Sequence, residues 1–136
     1  MTAGLDGTRA EAVREHYRRT FGSVPVGIEE RLAVAAATGR LDAVDAVDEL
    51  RRVLLRENPL EPRVQQLVHF GQLVALGHAG PARLHARGAV RAGASVADLV
   101  GVAETSMVTA GMLAYSLAVS IVAELVEQDR AALTGP

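Results

Sequence analysis

Apolar residues recur at helical spacing along this 136-residue chain, and no segment alternates apolar and polar residues as a half-buried strand does. Gly and Pro cut that pattern into lengths suited to helices. Ala10, Val13, Tyr17 and Phe21 form one stripe, behind a capping-box spacing at Thr8-Arg9-Ala10-Glu11. Gly22-Ser23-Val24-Pro25 ends that helix. A second is expected from Glu29 to Thr38, stopped by Gly39. A third, from Asp42 to Glu57, carries Val44, Val47, Leu50, Val53 and Leu54, and breaks at Asn58-Pro59. Pro62 suits the first turn of a fourth helix running to Leu76. A fifth covers Pro81 to Ala92. Ser95-Val96-Ala97-Asp98 is a second capping-box signal, opening a helix from Val96 to Ala110, and the last helix covers Met112 to Leu133. The expectation is an all-α fold of about seven helices in a single bundle. One domain spans residues 1–136, with N-terminal helices in 8–57 and a core region in 60–126.

Composition narrows the chemistry. The chain is 49% hydrophobic, enough for a core, and its formal net charge of −2 speaks against a nucleic-acid partner. It has no Cys, and all fourteen basic residues are Arg. Thiol redox chemistry, thiolate metal sites, Schiff-base lysines and P-loop lysines are therefore excluded. The apolar stretch from Met107 to Val126 is interrupted by Thr109, Gly111, Tyr115, Ser116, Ser120 and Glu124, and reads as a core or interface helix rather than a membrane span. Met1 to Thr8 has no apolar run of the signal-peptide kind, so a cytoplasmic protein is expected.

The remaining candidates for chemistry are few. His85 lies on the small-residue side of the fifth helix, beside Pro81, Ala82 and Ala89, and His78 precedes it across the Ala79-Gly80-Pro81 break. His69 shares a polar strip with Gln65, Gln66 and Gln72, whereas His16 sits on an ordinary surface helix. Imidazole exchanges protons near neutral pH, which makes these residues acid–base candidates as well as structural ones. Glu104 interrupts an apolar face made by Ala97, Val100, Met107 and Val108. It is either a buried carboxylate with a raised pKa or, with the helix rotated, a solvent-facing one. Arg83, Arg87 and Arg91 form a row that is either a solvated face or a clamp for a substrate carboxylate. Tyr115 is either a core residue or a hydrogen-bond donor to a ligand. No His-rich metal spacing, phosphate loop or serine-hydrolase elbow is present, so neither a metal nor a cofactor is expected.

From Leu60 onward the order of features resembles the carboxymuconolactone decarboxylase and alkylhydroperoxidase D superfamily. The stretch Leu60-Glu-Pro-Arg-Val-Gln-Gln-Leu-Val-His-Phe-Gly-Gln-Leu-Val-Ala-Leu-Gly-His78 carries the likeness. It continues through His85-Ala-Arg-Gly-Ala-Val-Arg-Ala-Gly93-Ala-Ser95 to Val96-Ala-Asp98-Leu and the Gly111 segment. Upstream, Phe21-Gly22-Ser-Val-Pro25 is similar to the entry segment of many members, so the resemblance covers residues 17–125. In the peroxidase branch a Glu precedes a C-x-x-C-x-x-x-H motif. Its positions fall here on Gln66, His78, Pro81 and His85. The histidine is kept, and the carboxylate and both thiols are gone. The chain departs further from the decarboxylase branch at Gln65, Glu104, Thr109 and Leu113.

The resemblance implies a homotrimer or homohexamer acting on a small molecule. It also implies a cofactor-free lyase or proton-transfer enzyme. Such an enzyme would decarboxylate or isomerise a small oxygenated acid, ketone or lactone, in a secondary-metabolite or aromatic-catabolic pathway. His85, His78 and Glu104 would be catalytic, and Gln66, His69, Arg83, Arg87 and Tyr115 would bind substrate. The alternatives are a non-catalytic small-molecule-binding or assembly protein, or a cyclisation-directing tailoring protein.

Overall fold

The structure, a computed structural model, describes residues 2–134, with side chains described for residues 7–132. Met1, Gly135 and Pro136, at the ends of the expected 1–136 domain, lie outside the described residues. The described residues hold seven α-helices and no strand, so the all-α expectation holds. By their contacts they fall into two compact units that divide between Pro59 and Leu60, so the boundary follows the Asn58-Pro59 break.

The first unit contains α1 (Thr2–Phe21), α2 (Val26–Thr38) and α3 (Leu41–Arg51), which runs on into a π-helical turn at Arg52–Arg56. Its core takes Val13, Tyr17 and Phe21 from the expected α1 stripe, with Ile28, Leu32 and Ala35 of α2 and Leu41 of α3, whereas Val47, Leu50, Val53 and Leu54 of the stripe expected on the third helix are exposed. Charged pairs join the helices around it. Arg14 Nε donates to Glu29 at 2.8 Å, and Arg9 Nη2 donates to Asp42 at 2.7 Å. Arg51 of α3 donates to the Tyr17 hydroxyl. α1 begins well before Thr8, so Thr8-Arg9-Ala10-Glu11 lies inside a helix and does not start one. Two polar residues one turn apart match the capping-box spacing wherever they occur on a helix. α2 likewise starts earlier than expected, with Pro25 at its N-cap.

The second unit contains α4 (Pro62–Leu76), α5 (Ala79–Arg91), α6 (Val96–Ala110) and α7 (Met112–Thr134). Phe70 and Val74 of α4, Leu99 of α6 and Ile121 of α7 are its largest fully buried side chains. α5 contributes only Ala82, Ala86, Gly88 and Ala89 to this interior. With no bulk on that face, α4 and α7 close tightly around it. Two glycines make the turns that position the site. Gly77 takes φ +79, and the Gly77 and His78 N–H groups donate to Val74 O (3.1 Å) and Leu73 O (2.9 Å). That pattern stops α4 and reverses the chain into α5. Gly111, at φ +96 and ψ −176, separates α6 from α7 in a conformation open essentially to glycine alone.

The second capping-box signal is a true helix start. Asp98 N–H donates to Ser95 Oγ at 3.0 Å, and Ser95 N–H donates to Asp98 Oδ2 at 2.9 Å. The Ser95 backbone bond is the main cause that holds the Asp98 carboxyl below its usual range, and Arg63 of α4, 3.4 Å away, adds to it. Among the described residues no helix is long and apolar enough to cross a membrane.

Candidate functional site

α4 and α5 bring three of the named side chains together. Gln66 and His69 are three residues apart on α4 and so share a face. His85 reaches them from α5, where Ala82, Ala86 and Ala89 around it are too small to hold the helices apart. His85 Nδ1 donates to Gln66 Oε1 at 2.7 Å. Because that oxygen can only accept, the neutral His85 ring carries its proton on Nδ1 and its lone pair on Nε2. Gln66 is 8% exposed, so the bond is made away from bulk water. The rings of His69 and His85 stack with centroids 4.4 Å apart and planes inclined by 30°.

His69 is half-buried, and its Nε2 is shut off from solvent with no hydrogen-bond partner. Burial pushes this imidazole below its ordinary value of 6.5. The pairing of His69 with His85 and of Gln66 with His85 has no local sequence signal, because each joins residues on different helices.

The other candidates stand differently. Arg83 is bound to Glu124 of α7 in a two-pronged pair, Nε to Oε2 at 2.9 Å and Nη2 to Oε1 at 3.2 Å. The Arg83 guanidinium is the main cause that holds the Glu124 carboxyl below its usual range, and Arg87 contributes less. A carboxylate of the protein thus occupies the first Arg of the row, while Arg87 and Arg91 are exposed. His78 stands at the N-cap position of α5 without a side-chain capping bond, and is exposed. Its backbone C=O accepts from Ala82 N–H at 3.0 Å.

Of the two readings of Glu104, the structure shows the solvent-facing one. The buried face of α6 is Leu99, Ala103 and Ser106, and Glu104 lies on the exposed strip Ala97, Gly101, Glu104 and Val108. The strip is apolar in composition although it is exposed, which explains why Glu104 looked like an interruption of a core face. Among the described residues, neither the His78 nor the Glu104 side chain has a hydrogen bond or ion pair with another. Tyr115 is half-buried and packs against the core of the second unit. No group of three or more His, Cys, Asp or Glu among the described residues is placed to hold a metal ion.

His16, outside this site, departs from the surface reading. It is half-buried, with its ring edge-on to Tyr17 at 5.6 Å. Burial first, then the charges of Arg56, Arg51 and Arg19, push it below its ordinary value.

The model of the carboxymuconolactone decarboxylase family matches residues 41–124. The chain belongs to the carboxymuconolactone decarboxylase family. No curated protein and no solved structure matches it. The family match includes α3, so it crosses both units, and it contains Gln66, His69, His78, His85 and Glu104. Decarboxylases are among the family's members. The peroxidase branch's thiol route has no counterpart here, since Cys is absent from the whole chain.

Proposed function

We propose that this chain is a cofactor-free lyase or proton-transfer enzyme in which His85 carries the proton. The observation supporting this reading is the His85 Nδ1–H bond to a nearly buried Gln66 carbonyl. It orients the ring and assigns the lone pair to Nε2, as a positioned general base requires. As a base, His85 removes a proton α to a substrate carbonyl; as imidazolium, it returns that proton, giving isomerisation. In decarboxylation the C–C bonding pair passes into the adjacent carbonyl as CO₂ leaves, and the imidazolium protonates the carbon left behind. Arg87, exposed and one turn from Arg83, is the guanidinium proposed to meet a substrate carboxylate. Arg83 would do so only by releasing Glu124. Tyr115, His78 and Glu104 are assigned supporting polar roles in the same reading.

The test is a panel of β-keto acids, carboxylated lactones and cyclic enones, read by CO₂ release and by deuterium incorporation from D₂O. His85→Ala should lower turnover by roughly 10²–10⁴-fold. Unchanged turnover in that variant would remove His85 from the reaction. One observation favours a second reading, a small-molecule-binding protein without catalysis: the Arg83 guanidinium is already neutralised by Glu124. Calorimetric binding of panel members with neither product nor exchange would favour it.

Self-association belongs to the same proposal. Val108 is 89% and Leu113 88% exposed, on either side of Gly111. Two large apolar side chains bared at one corner suit a subunit contact.

A further inference from the structure

His69 is not needed for the tautomer of His85, which Gln66 sets. It nonetheless presents an aromatic face to the ring proposed to carry the proton. We propose that His69 is a positioning residue for His85: its neutral ring, stacked on the His85 imidazole, limits the pair to one proton and leaves that proton on His85. The inference rests on the reading of His85 as the proton carrier.

Three observations support it. The first is the separation. Two imidazoliums stacked with centroids 4.4 Å apart would place like charges face to face, so the second protonation of the pair is strongly opposed. The second is an asymmetry in hydrogen bonding. The Nδ1–H of His85 has the Gln66 carbonyl as acceptor whether the ring is neutral or charged. An imidazolium at His69 would carry an N–H at Nε2, where the atom is sealed from solvent and has no acceptor. The third is the ring face itself. A neutral imidazole offers π density to a cation stacked on it, which favours the charged form of His85 over that of His69.

The surrounding charges do not set the proton affinity of His69. α5, α6 and α7 all pack on α4. The charged groups of α5 are Arg83, which is paired with Glu124 of α7, and the exposed Arg87 and Arg91. Those of α6 are Asp98, held in its cap beside Arg63 of α4, and the exposed Glu104. On α7, Tyr115 is half-buried, and Glu127, Asp129 and Arg130 are exposed near the far end of the helix. None of these contributes to the lowered affinity of His69 for a proton, which comes from burial.

The test is a histidine NMR titration of the full-length chain, following Cε1–H and the ring nitrogens of His69 and His85, with no substrate present. In the wild type, His85 should take up the proton while His69 remains neutral throughout that titration. His69→Phe keeps a ring in the stack and should leave the His85 midpoint within about 0.3 pH unit and its Nδ1–H tautomer intact. His69→Ala should move the midpoint further than that, while the Nδ1–H tautomer set by Gln66 stays. Three results would overturn the proposal. They are both rings titrating over the same range, His69 protonating first, or His69→Ala leaving His85 unchanged. The wild-type titration decides even if His69→Ala fails to fold. Because no turnover is read, failure of the stack and failure of His85 as the proton carrier are separable. His85→Ala with undiminished activity would refute the latter while leaving the titration result standing.

Discussion

Gln66→Glu places a carboxylate against His85. The acceptor oxygen already lies 2.7 Å from His85 Nδ1, so a carboxylate there puts the two charge centres about 4 Å apart. With an effective dielectric constant of about 20 the attraction is about 4 kcal/mol, equivalent to about 3 pH units. His85 is half-buried, and solvent screening reduces that to an expected rise of about 1–2 units in its midpoint.

Stability should follow with a definite sign. The raised histidine contributes its full stabilisation below the unfolded value of about 6.5 and loses it as pH climbs through the raised folded midpoint. Above that midpoint the carboxylate keeps the neutral Nδ1–H bond but loses its opposite charge at a position only 8% exposed, at a cost of about 3 kcal/mol or more. The assay is a histidine NMR titration together with urea unfolding at pH 6 and pH 9. A folded variant whose His85 midpoint matches the wild type, with a stability deficit independent of pH, would refute the Gln66–His85 bond and the tautomer argument built on it.

Phe70→Ala should destabilise the second unit by roughly 3–5 kcal/mol in urea unfolding, since the ring is fully buried among α4, α5, α6 and α7 residues. Ser95→Ala removes the side-chain half of the α6 capping box and should lower stability by about 1 kcal/mol by the same measurement. His16 and His69 both have proton affinities lowered by burial relative to 6.5. The unfolded chain therefore binds more protons below that value, and stability should fall as pH drops from about 6.5. His16→Gln should flatten part of that dependence, visible as a smaller shift of the urea midpoint between pH 7.5 and 5.5. Leu113→Glu should shift the protein to smaller species in light scattering; an unchanged mass would remove the Gly111 corner as a subunit contact.

Most of the helical order was legible without the structure. Gly77 and Gly111 mark boundaries because their positive φ values are costly for other residues, and Ser95-Val96-Ala97-Asp98 marks one because its two side chains satisfy N–H groups within the same turn. These signals are local. Thr8-Arg9-Ala10-Glu11 shows their limit, since an identical spacing inside α1 starts nothing. The family was legible too, from the order of features between Leu60 and Gly111.

The amino-acid sequence by itself determined the fold class, the absence of thiol and lysine chemistry, and the short set of residues able to move a proton. Only the tertiary structure decided which of them meet. His85 bonds Gln66 and stacks on His69 because the alanine face of α5 lets α4 approach, and Arg83 is bound to Glu124 because α7 passes beside α5. Glu104 faces solvent because the rotation of α6 is set by what Leu99, Ala103 and Ser106 bury against. Helical periodicity is a property of neighbours along the chain. The pairing of side chains across helices depends on how those helices rotate and approach, and that is settled by the packing of the core as a whole.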